Sequence, residues 1–169
     1  IGGQNCHESS DYGPHTGFVN SKMLKNAGAQ FVIIGHSENR QNGESDKLIN
    51  HKIKSALNAK LKVIFCIGET LTEKRKKKTK SILSRQIKIG LDKIKYKSKI
   101  FIAYEPVWAI GTGIIPKSED LVKIIGFIKS KFKNKTPKVL YGGSVSPENI
   151  KNLKKINNID GFLIGGSSK

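Results

Sequence analysis

The stretch AYEPVWAIGTG (residues 103–113) places one carboxylate, Glu105, at the end of an apolar run. The preceding residues, IFIAY (100–104), are continuously apolar rather than alternating, as in strands that are buried on both faces. A proline, the only tryptophan in the chain and two glycines, Gly111 and Gly113, come after the acid. Glycine adopts backbone angles that other residues avoid, so this segment can hinge. The pattern predicts a buried strand with a charge at its carboxyl end, followed by a loop that can move.

Similar apolar runs recur along the chain, roughly 23 to 38 residues apart, and each predicts a strand. They are FVIIG (31–35), KVIFCIG (62–68), KVLYGG (138–143) and GFLIGG (161–166). The segment IGGQNC (1–6) is interpreted as one more strand. Segments of helical periodicity lie between them. The pattern predicts helices over 46–60, over 118–133 with Ser118 as N-cap, and over 146–156 with Ser146 as N-cap and Pro147 in the first turn.

This βα repeat predicts parallel strands joined by helical crossovers, in either an open doubly wound sheet or a closed (β/α)8 barrel. No G-x-G-x-x-G motif follows a strand, which disfavours the dinucleotide-binding form. The last two strands each end in a Gly-Gly pair, typical of the phosphate site after strands seven and eight of a barrel. Counting back, residue 1 falls in strand three. We therefore expect one α/β domain over 1–169, an incomplete (β/α)8 barrel without its first two βα units and its last helix.

Composition limits the functional classes. Of the 31 basic residues only three are arginines, and the lysines are spread along a chain of formal net charge +18. The dense block EKRKKKTK (73–80) is interpreted as a solvated helix start or loop, because a nucleic-acid groove favours arginine with interleaved aromatics. A lysine-rich nucleic-acid binder is the least favoured reading. Two cysteines make no disulfide framework and no run is long enough to span a membrane, so a cytoplasmic protein is expected.

Every chemically useful group follows a predicted strand. His36, Glu69 and Glu105 come after three of the strands, and glycine pairs follow the last two. Each has a structural alternative. A histidine after a strand is commonly a cap, a glycine pair is commonly a turn, and Glu69 is expected to partner an indole or a basic side chain. Cys66 inside an apolar run is expected to be core filler. The functional interpretation gains weight because carboxyl ends of parallel barrel strands share one rim.

Five motifs carry a resemblance that covers essentially the whole chain. They are GHSENR (35–40), CIGET (66–70), AYEPVWAIGTG (103–113), YGGSV (141–145) and DGFLIGGSS (160–168). In order and spacing the sequence resembles the triosephosphate isomerase family. The resemblance implies a TIM barrel and a cofactor-independent isomerase, with neither metal nor organic cofactor.

The resemblance also implies roles for residues. Glu105 becomes the base that moves a proton between adjacent carbons of a triose phosphate, interconverting dihydroxyacetone phosphate and glyceraldehyde 3-phosphate through an enediolate. A glutamate with a pKa of about 4 is too weak a base for a carbon acid unless it is desolvated. His36, before a helical turn that begins at Ser37, becomes the neutral electrophile. The implied phosphate-binding residues are Gly111, Ser144, Gly165 and Gly166. The implied lid residues are Pro106, Val107, Trp108, Ala109, Ile110, Thr112 and Gly113.

The loop GPHTG (13–17) resembles the family's subunit-contact loop, with Thr16 at its tip, so a homodimer is expected. The usual charged pair across that interface is replaced by Phe18 and Asn39, which leaves no unpaired charge. The expected partners are a triose phosphate and a second copy, with no nucleic acid and no membrane.

Two further departures from the family pattern affect activity. The family's Asn and Lys after strand one have no counterpart, and losing such a charge-stabilising group costs about 3 kcal/mol or more, so the 169-residue chain alone is expected to be inactive. Pro116 has no N–H for the tyrosine at position 141, which in the family holds a lid amide. A catalytically dead remnant and another phosphate-binding barrel stay open as alternatives.

Overall fold

A computed structural model describes residues 1–95, 99–133 and 136–168 of the chain. The chain forms two compact units. The first unit consists of Ile1–Cys66 and Gln86–Phe101, and the second consists of Ile67–Arg85 and Ile102–Lys169. Two compact units can belong to one domain, so the single domain over 1–169 stays a prediction. No helix in the described ranges is both long enough and apolar enough to cross a membrane.

Strands and helices follow one another along the chain as the apolar runs predict. The strands are β1 Gly2–Gly3, β2 Phe31–Ile34, β3 Lys62–Ile67, β4 Ile100–Tyr104, β5 Val139–Tyr141 and β6 Gly161–Phe162. The helices are α1 Ser21–Asn26, α2 Ser37–Gln41, α3 Asp46–Asn58, α4 Leu71–Arg75, α5 Thr79–Gly90, α6 Ser118–Ser130 and α7 Ile150–Leu153. Short 3-10 turns cover Val107–Ala109 and Gly166–Ser168.

In the first unit β1, β2 and β3 are parallel neighbours in chain order, with Gly2 opposite Phe31 and Phe31 opposite Lys62. Helix α3 begins where the Ser45 side chain accepts a hydrogen bond from the Leu48 amide. Its apolar residues Ile49, Ile53, Ala56 and Leu57 are buried, and the strands contribute fully buried side chains. The main core residues are Val32, Ile34, Ile49, Ile53, Ala56, Val63 and Phe65. Cys66 is buried in β3, which confirms it as core filler.

The second unit repeats this arrangement. Strand β4 pairs with β5 in parallel, Ile102 opposite Val139, and β5 pairs with β6, Leu140 opposite Gly161. Helix α6 places three fully buried residues, Leu121, Ile125 and Ile128, in the core. Within each unit the strands are in chain order, whereas a doubly wound sheet reverses its order at a switch point. This pairing agrees with a barrel.

Two predicted helix starts are wrong. Ser118 is the first helical residue of α6, and the N-cap is Lys117, which makes no side-chain capping bond. The helix predicted over 146–156 is only α7, because the Asn149 side chain organises the turn before it. Asn149 accepts from the Ser146 amide (3.0 Å) and donates to the Ser144 carbonyl (3.2 Å). Helix α7 therefore begins after Asn149, and Ser146 is not its N-cap.

Candidate active site

The three strands of the second unit end at the same edge. The Gly142 amide donates to the Tyr104 carbonyl, and the Leu163 amide donates to the Tyr141 carbonyl, each at 2.9 Å. The residues that follow β4, β5 and β6 therefore leave the sheet side by side. Glu105, the segment 142–144 and the segment 163–166 therefore lie in this order along the edge.

Glu105 is buried at this edge, with 2% of its surface exposed. Its amide donates to the Ile67 carbonyl at 2.8 Å. Glycine is needed on both sides of it: a Cβ at Gly68 would lie 1.7 Å from the Glu105 carbonyl oxygen, and one at Gly142 would lie 2.9 Å from its Cγ. The backbone therefore approaches Glu105 closely on two sides. A side chain at Gly68 would displace the Glu105 backbone, and one at Gly142 would displace its side chain.

A second buried carboxylate, Glu69, occupies the same unit and is 1% exposed. The Tyr104 hydroxyl lies 3.2 and 3.1 Å from its two oxygens, and the Trp108 indole nitrogen donates to it at 2.9 Å. Burial raises the pKa of Glu69, while the bonds from Trp108 and Tyr104 and the charge of Lys74 oppose that rise. The prediction that Glu69 partners an indole is confirmed.

The predicted lid begins directly after Glu105. The Val107 amide donates to the Glu69 carbonyl (3.1 Å), and a 3-10 turn follows over Val107–Ala109. Ser144 holds both halves of the segment: its amide and hydroxyl donate to the Ala109 carbonyl (3.0 and 2.6 Å), and its hydroxyl accepts from the Gly113 amide (3.1 Å). The structure thus brings Ser144 and the lid residues Ala109 and Gly113 together.

The tip of the lid is exposed and uses left-handed backbone angles. Gly111 and Gly113 have φ of +66° and +73°, which favours glycine. Between them the Thr112 hydroxyl donates to the Trp108 carbonyl at 3.3 Å. After β6, Gly165 and Gly166 are also exposed, and nothing lies within 4 Å of a Cβ built on either. The predicted phosphate-binding backbones at Gly111, Gly165 and Gly166 are therefore accessible to an anion.

Tyr141 at the end of β5 is fully buried, and burial raises its pKa to about 12. Among the described residues its hydroxyl has no hydrogen-bond partner. A Cβ at Gly143 would lie 2.2 Å from this oxygen, so the neighbouring backbone approaches it closely. Pro116, which stands where the resemblance implies an amide donor, is buried and has no N–H.

His36 lies in the first unit, after β2 and Gly35. It is the N-cap of α2, and its Nδ1 accepts from the Glu38 amide at 3.4 Å, with a Glu38 carboxylate oxygen 3.9 Å away. An Nδ1 that accepts a hydrogen bond carries no proton, so in the neutral ring the proton is on Nε2. The predicted helical turn at Ser37 is confirmed.

The turn before His36 is fixed by Arg40, which sequence reasoning did not single out. Its guanidinium donates to the Gly35 carbonyl (2.8 Å), the Cys66 carbonyl (3.0 Å) and Asp46 (2.7 Å). Three contacts from one planar group restrain the backbone that positions His36. Sequence reasoning also did not identify Tyr104 or Lys74 as site residues. Tyr104 is one of several apolar residues in its strand, and Lys74 is one of several lysines in the basic block.

The predicted subunit-contact loop lies in the first unit. Thr16 is exposed at its turn, and Gly17 has φ of +84°. The rings of His7 and His15 lie 4.1 Å apart, and that of Phe18 lies 5.1 Å from His7. Phe18 remains 63% exposed, an apolar side chain where the family pattern has an acid. Within the described residues no group of three or more His, Cys, Asp or Glu could hold a metal ion.

Comparison with known proteins gives one consistent answer. A sequence model of the family described as "Triosephosphate isomerase" matches residues 1–169. The triosephosphate isomerase of Thermodesulfovibrio yellowstonii is 44% identical over 173 residues, covering 96% of this chain and 70% of the relative. That of Mycoplasmopsis pulmonis is 46% identical over 166 residues, covering 98% of this chain and 66% of the relative.

A solved structure extends the likeness to three dimensions. The crystal structure of triosephosphate isomerase from Bartonella henselae matches with a TM-score of 0.90 and 42% identity, over 99% of this chain and 70% of that one. The predicted (β/α)8 barrel fold is thereby confirmed. The chain spans about two thirds of the length of these relatives, 66% to 70%.

The two buried tyrosines should respond oppositely to loss of the hydroxyl. Tyr141→Phe removes an unpartnered buried oxygen and should raise the free energy of unfolding by about 1 kcal/mol. Tyr104→Phe removes bonds to a buried carboxylate and should lower it by about 1–3 kcal/mol. Urea unfolding of the full-length gene product measures both. Equal changes in the two variants would contradict this assignment.

Glu69 should make stability depend on pH. Because its folded pKa is raised above 4.5, its protonated form is favoured on folding, and that stabilisation is present below 4.5 and lost as the pH rises through the raised value. Glu69→Gln cannot ionise and so does not lose this stabilisation. The free energy of unfolding of the variant should therefore increase relative to that of the wild type as the pH rises from 4.5. Urea unfolding at a series of pH values tests this. A constant difference between the two proteins would show that Glu69 is not perturbed.

Proposed function

The chain belongs to the triosephosphate isomerase family, and on that premise we propose that Glu105 and His36 are the acid–base and electrophilic groups of its isomerase reaction. The substrate is a triose phosphate. Glu105 takes a proton from one carbon of dihydroxyacetone phosphate and returns it to the adjacent carbon of the enediolate. The hydroxyl proton passes from one substrate oxygen to the other, which gives glyceraldehyde 3-phosphate. The observation that carries the proposal is the burial of Glu105 at the end of β4, with Gly142 against its side chain and Gly68 against its backbone carbonyl.

Burial suits Glu105 to this role. A glutamate in water is too weak a base for a carbon acid, and Glu105 is only 2% exposed. Proton transfer between neighbouring carbons also needs a base that does not move away between the two steps. The Glu105 backbone is anchored to Ile67, and its side chain faces the Gly142 position, which supports a fixed base.

His36 is proposed as the group that polarises the substrate oxygens. Its Nδ1 accepts from the Glu38 amide at the start of α2, which leaves Nε2–H as the donor. In the proposed reaction the ring acts as a neutral imidazole that donates from Nε2–H. The Arg40 contacts restrain the turn that carries it.

The substrate phosphate is proposed to bind the amides of Gly111, Gly165 and Gly166 together with Ser144. These backbones are exposed or hydrogen-bonded to the lid, and bare glycine amides let an anion approach closely. The lid, residues 106–113, is proposed to close over the substrate, exclude water from Glu105 and protect the enediolate from losing phosphate. The reaction as proposed uses neither metal nor organic cofactor.

A homodimer in the cytoplasm is proposed for the intact protein, with Thr16 at the contact. Support comes from the exposed turn at Thr16 and from the exposed Phe18 beside it, an apolar side chain suited to burial between subunits. With Phe18 and Asn39 in place of a charged pair, the interface is less ionic than the family pattern.

Glu105→Gln in the full-length gene product tests the proposal. The amide cannot accept the proton, so kcat with glyceraldehyde 3-phosphate should fall about 10²- to 10⁴-fold. The wild type should also introduce solvent deuterium at the carbon adjacent to the carbonyl, as enediolate chemistry requires. Glu148→Gln, at an exposed carboxylate, is the matched control and should stay within twofold of the wild type. Wild-type turnover in Glu105→Gln would overturn the assignment.

A further inference from the structure

Trp108, the only tryptophan in the chain, lies between two opposite charges. At its edge the indole nitrogen donates to the buried Glu69 carboxylate at 2.9 Å. Over its face the Lys74 ammonium stands 3.1 Å from the ring centroid. An ammonium over an indole face is attracted by the ring's π electrons, most strongly for tryptophan among the aromatic side chains. The first turn of the lid is therefore held from two directions.

Local sequence places Lys74 there. Thr70 and Glu73 form a capping box that starts α4 immediately after Glu69: the Thr70 amide donates to Glu73 (2.8 Å), and the Glu73 amide donates to the Thr70 hydroxyl (3.3 Å). This turn fixes the backbone one residue before Lys74. The capping box thus positions an exposed lysine over the lid although the lysine lies in a solvated basic block.

The two contacts on Trp108 reinforce each other. Lys74 lowers the pKa of Glu69 against the larger opposing effect of burial, so its charge favours the ionised carboxylate. An ionised carboxylate accepts the indole N–H more strongly than a neutral acid does. The same ammonium therefore attracts the ring and strengthens the bond at the ring's edge.

The position of Trp108 is transmitted to the rest of the lid through backbone contacts. The Trp108 carbonyl accepts from the Thr112 hydroxyl at 3.3 Å, and the next carbonyl, that of Ala109, accepts twice from Ser144. Displacing the indole would shift both carbonyls. The positions of both the first turn of the lid and its tip therefore depend on the position of the indole.

We infer that Lys74 is a positioning residue for the lid: its ammonium holds the Trp108 indole against Glu69 and so sets the resting place of residues 106–113. Three other lysines of the basic block, Lys76, Lys77 and Lys78, are exposed in the turn between α4 and α5, and Lys76 serves as the matched control. The effect on the indole depends on these contacts alone, whereas the effect on turnover rests on the proposed function.

The indole N–H resonance of Trp108 in the full-length gene product, identified by its loss in Trp108→Phe, provides the readout. A cation over an indole is worth a factor of about 2 to 30 in an equilibrium. Lys74→Gln should accelerate hydrogen exchange of this N–H by a factor in that range and lower kcat/KM for glyceraldehyde 3-phosphate by a similar factor. Lys74→Arg keeps a cation over the ring and should restore both to within twofold. Lys76→Gln removes the same charge two residues away and should change neither.

Unchanged indole exchange in Lys74→Gln would overturn the inference, as would an equal effect of Lys76→Gln or a failure of Lys74→Arg to restore exchange. These outcomes are separate from the fate of the proposed function. If Glu105→Gln kept full turnover while Lys74→Gln still loosened the indole, the isomerase assignment would fail and the role of Lys74 in placing Trp108 would stand.

Discussion

Glu105 is buried where the backbones that follow the neighbouring strands approach one another most closely. A side chain at Gly68 would overlap the Glu105 carbonyl, and one at Gly142 would press on its Cγ. Burying a carboxylate is costly, so a fold does so only where the surrounding structure fixes it. The second unit fixes it with backbone, through the Ile67 carbonyl and the two glycines, and the proposed chemistry depends on that enclosure.

Glu69 and Glu105 are both buried in the second unit, but different groups surround them. The roles proposed for the two carboxylates differ accordingly. Glu69 is covered by Tyr104 and Trp108 at its oxygens, with Lys74 nearby, so its charge is used to hold the indole. Glu105 is 2% exposed, and the Gly142 backbone lies against its Cγ. One carboxylate thus holds the Trp108 indole, and the other is the proposed base. Ser144 holds the segment that follows Glu105 through the Ala109 carbonyl and the Gly113 amide.

The sequence predicted β2 to β6 and their order because each lies in a continuous apolar run, a signal that does not depend on knowledge of tertiary contacts. It also placed Glu105 and His36 at strand ends, since the residue after a buried run is read directly. Helix starts were less predictable. Ser146 has the right chemistry for an N-cap, but the Asn149 side chain bonds the turn first and delays the helix.

Contacts between segments were beyond sequence reasoning. Lys74 is one lysine in a block of similar residues, and only the capping box at Thr70 hints that its backbone is fixed. Tyr104 has the same apolar character as its strand neighbours, yet its hydroxyl meets Glu69 across 35 residues of chain. Sequence periodicity predicts which face of a helix or strand is buried. It does not predict which polar atom, distant in sequence, will contact that face.

Gly142→Ala tests most directly whether backbone enclosure of the proposed base governs activity. The added methyl would stand 2.9 Å from the Glu105 Cγ, so the carboxylate must shift, and a misplacement of about 1 Å costs about 10²-fold in rate. The account predicts that kcat of the full-length gene product falls by at least tenfold while KM changes by less than about threefold, and that Gly126→Ala, where nothing lies within 4 Å of the new methyl, keeps wild-type kcat. Wild-type kcat in Gly142→Ala would contradict it.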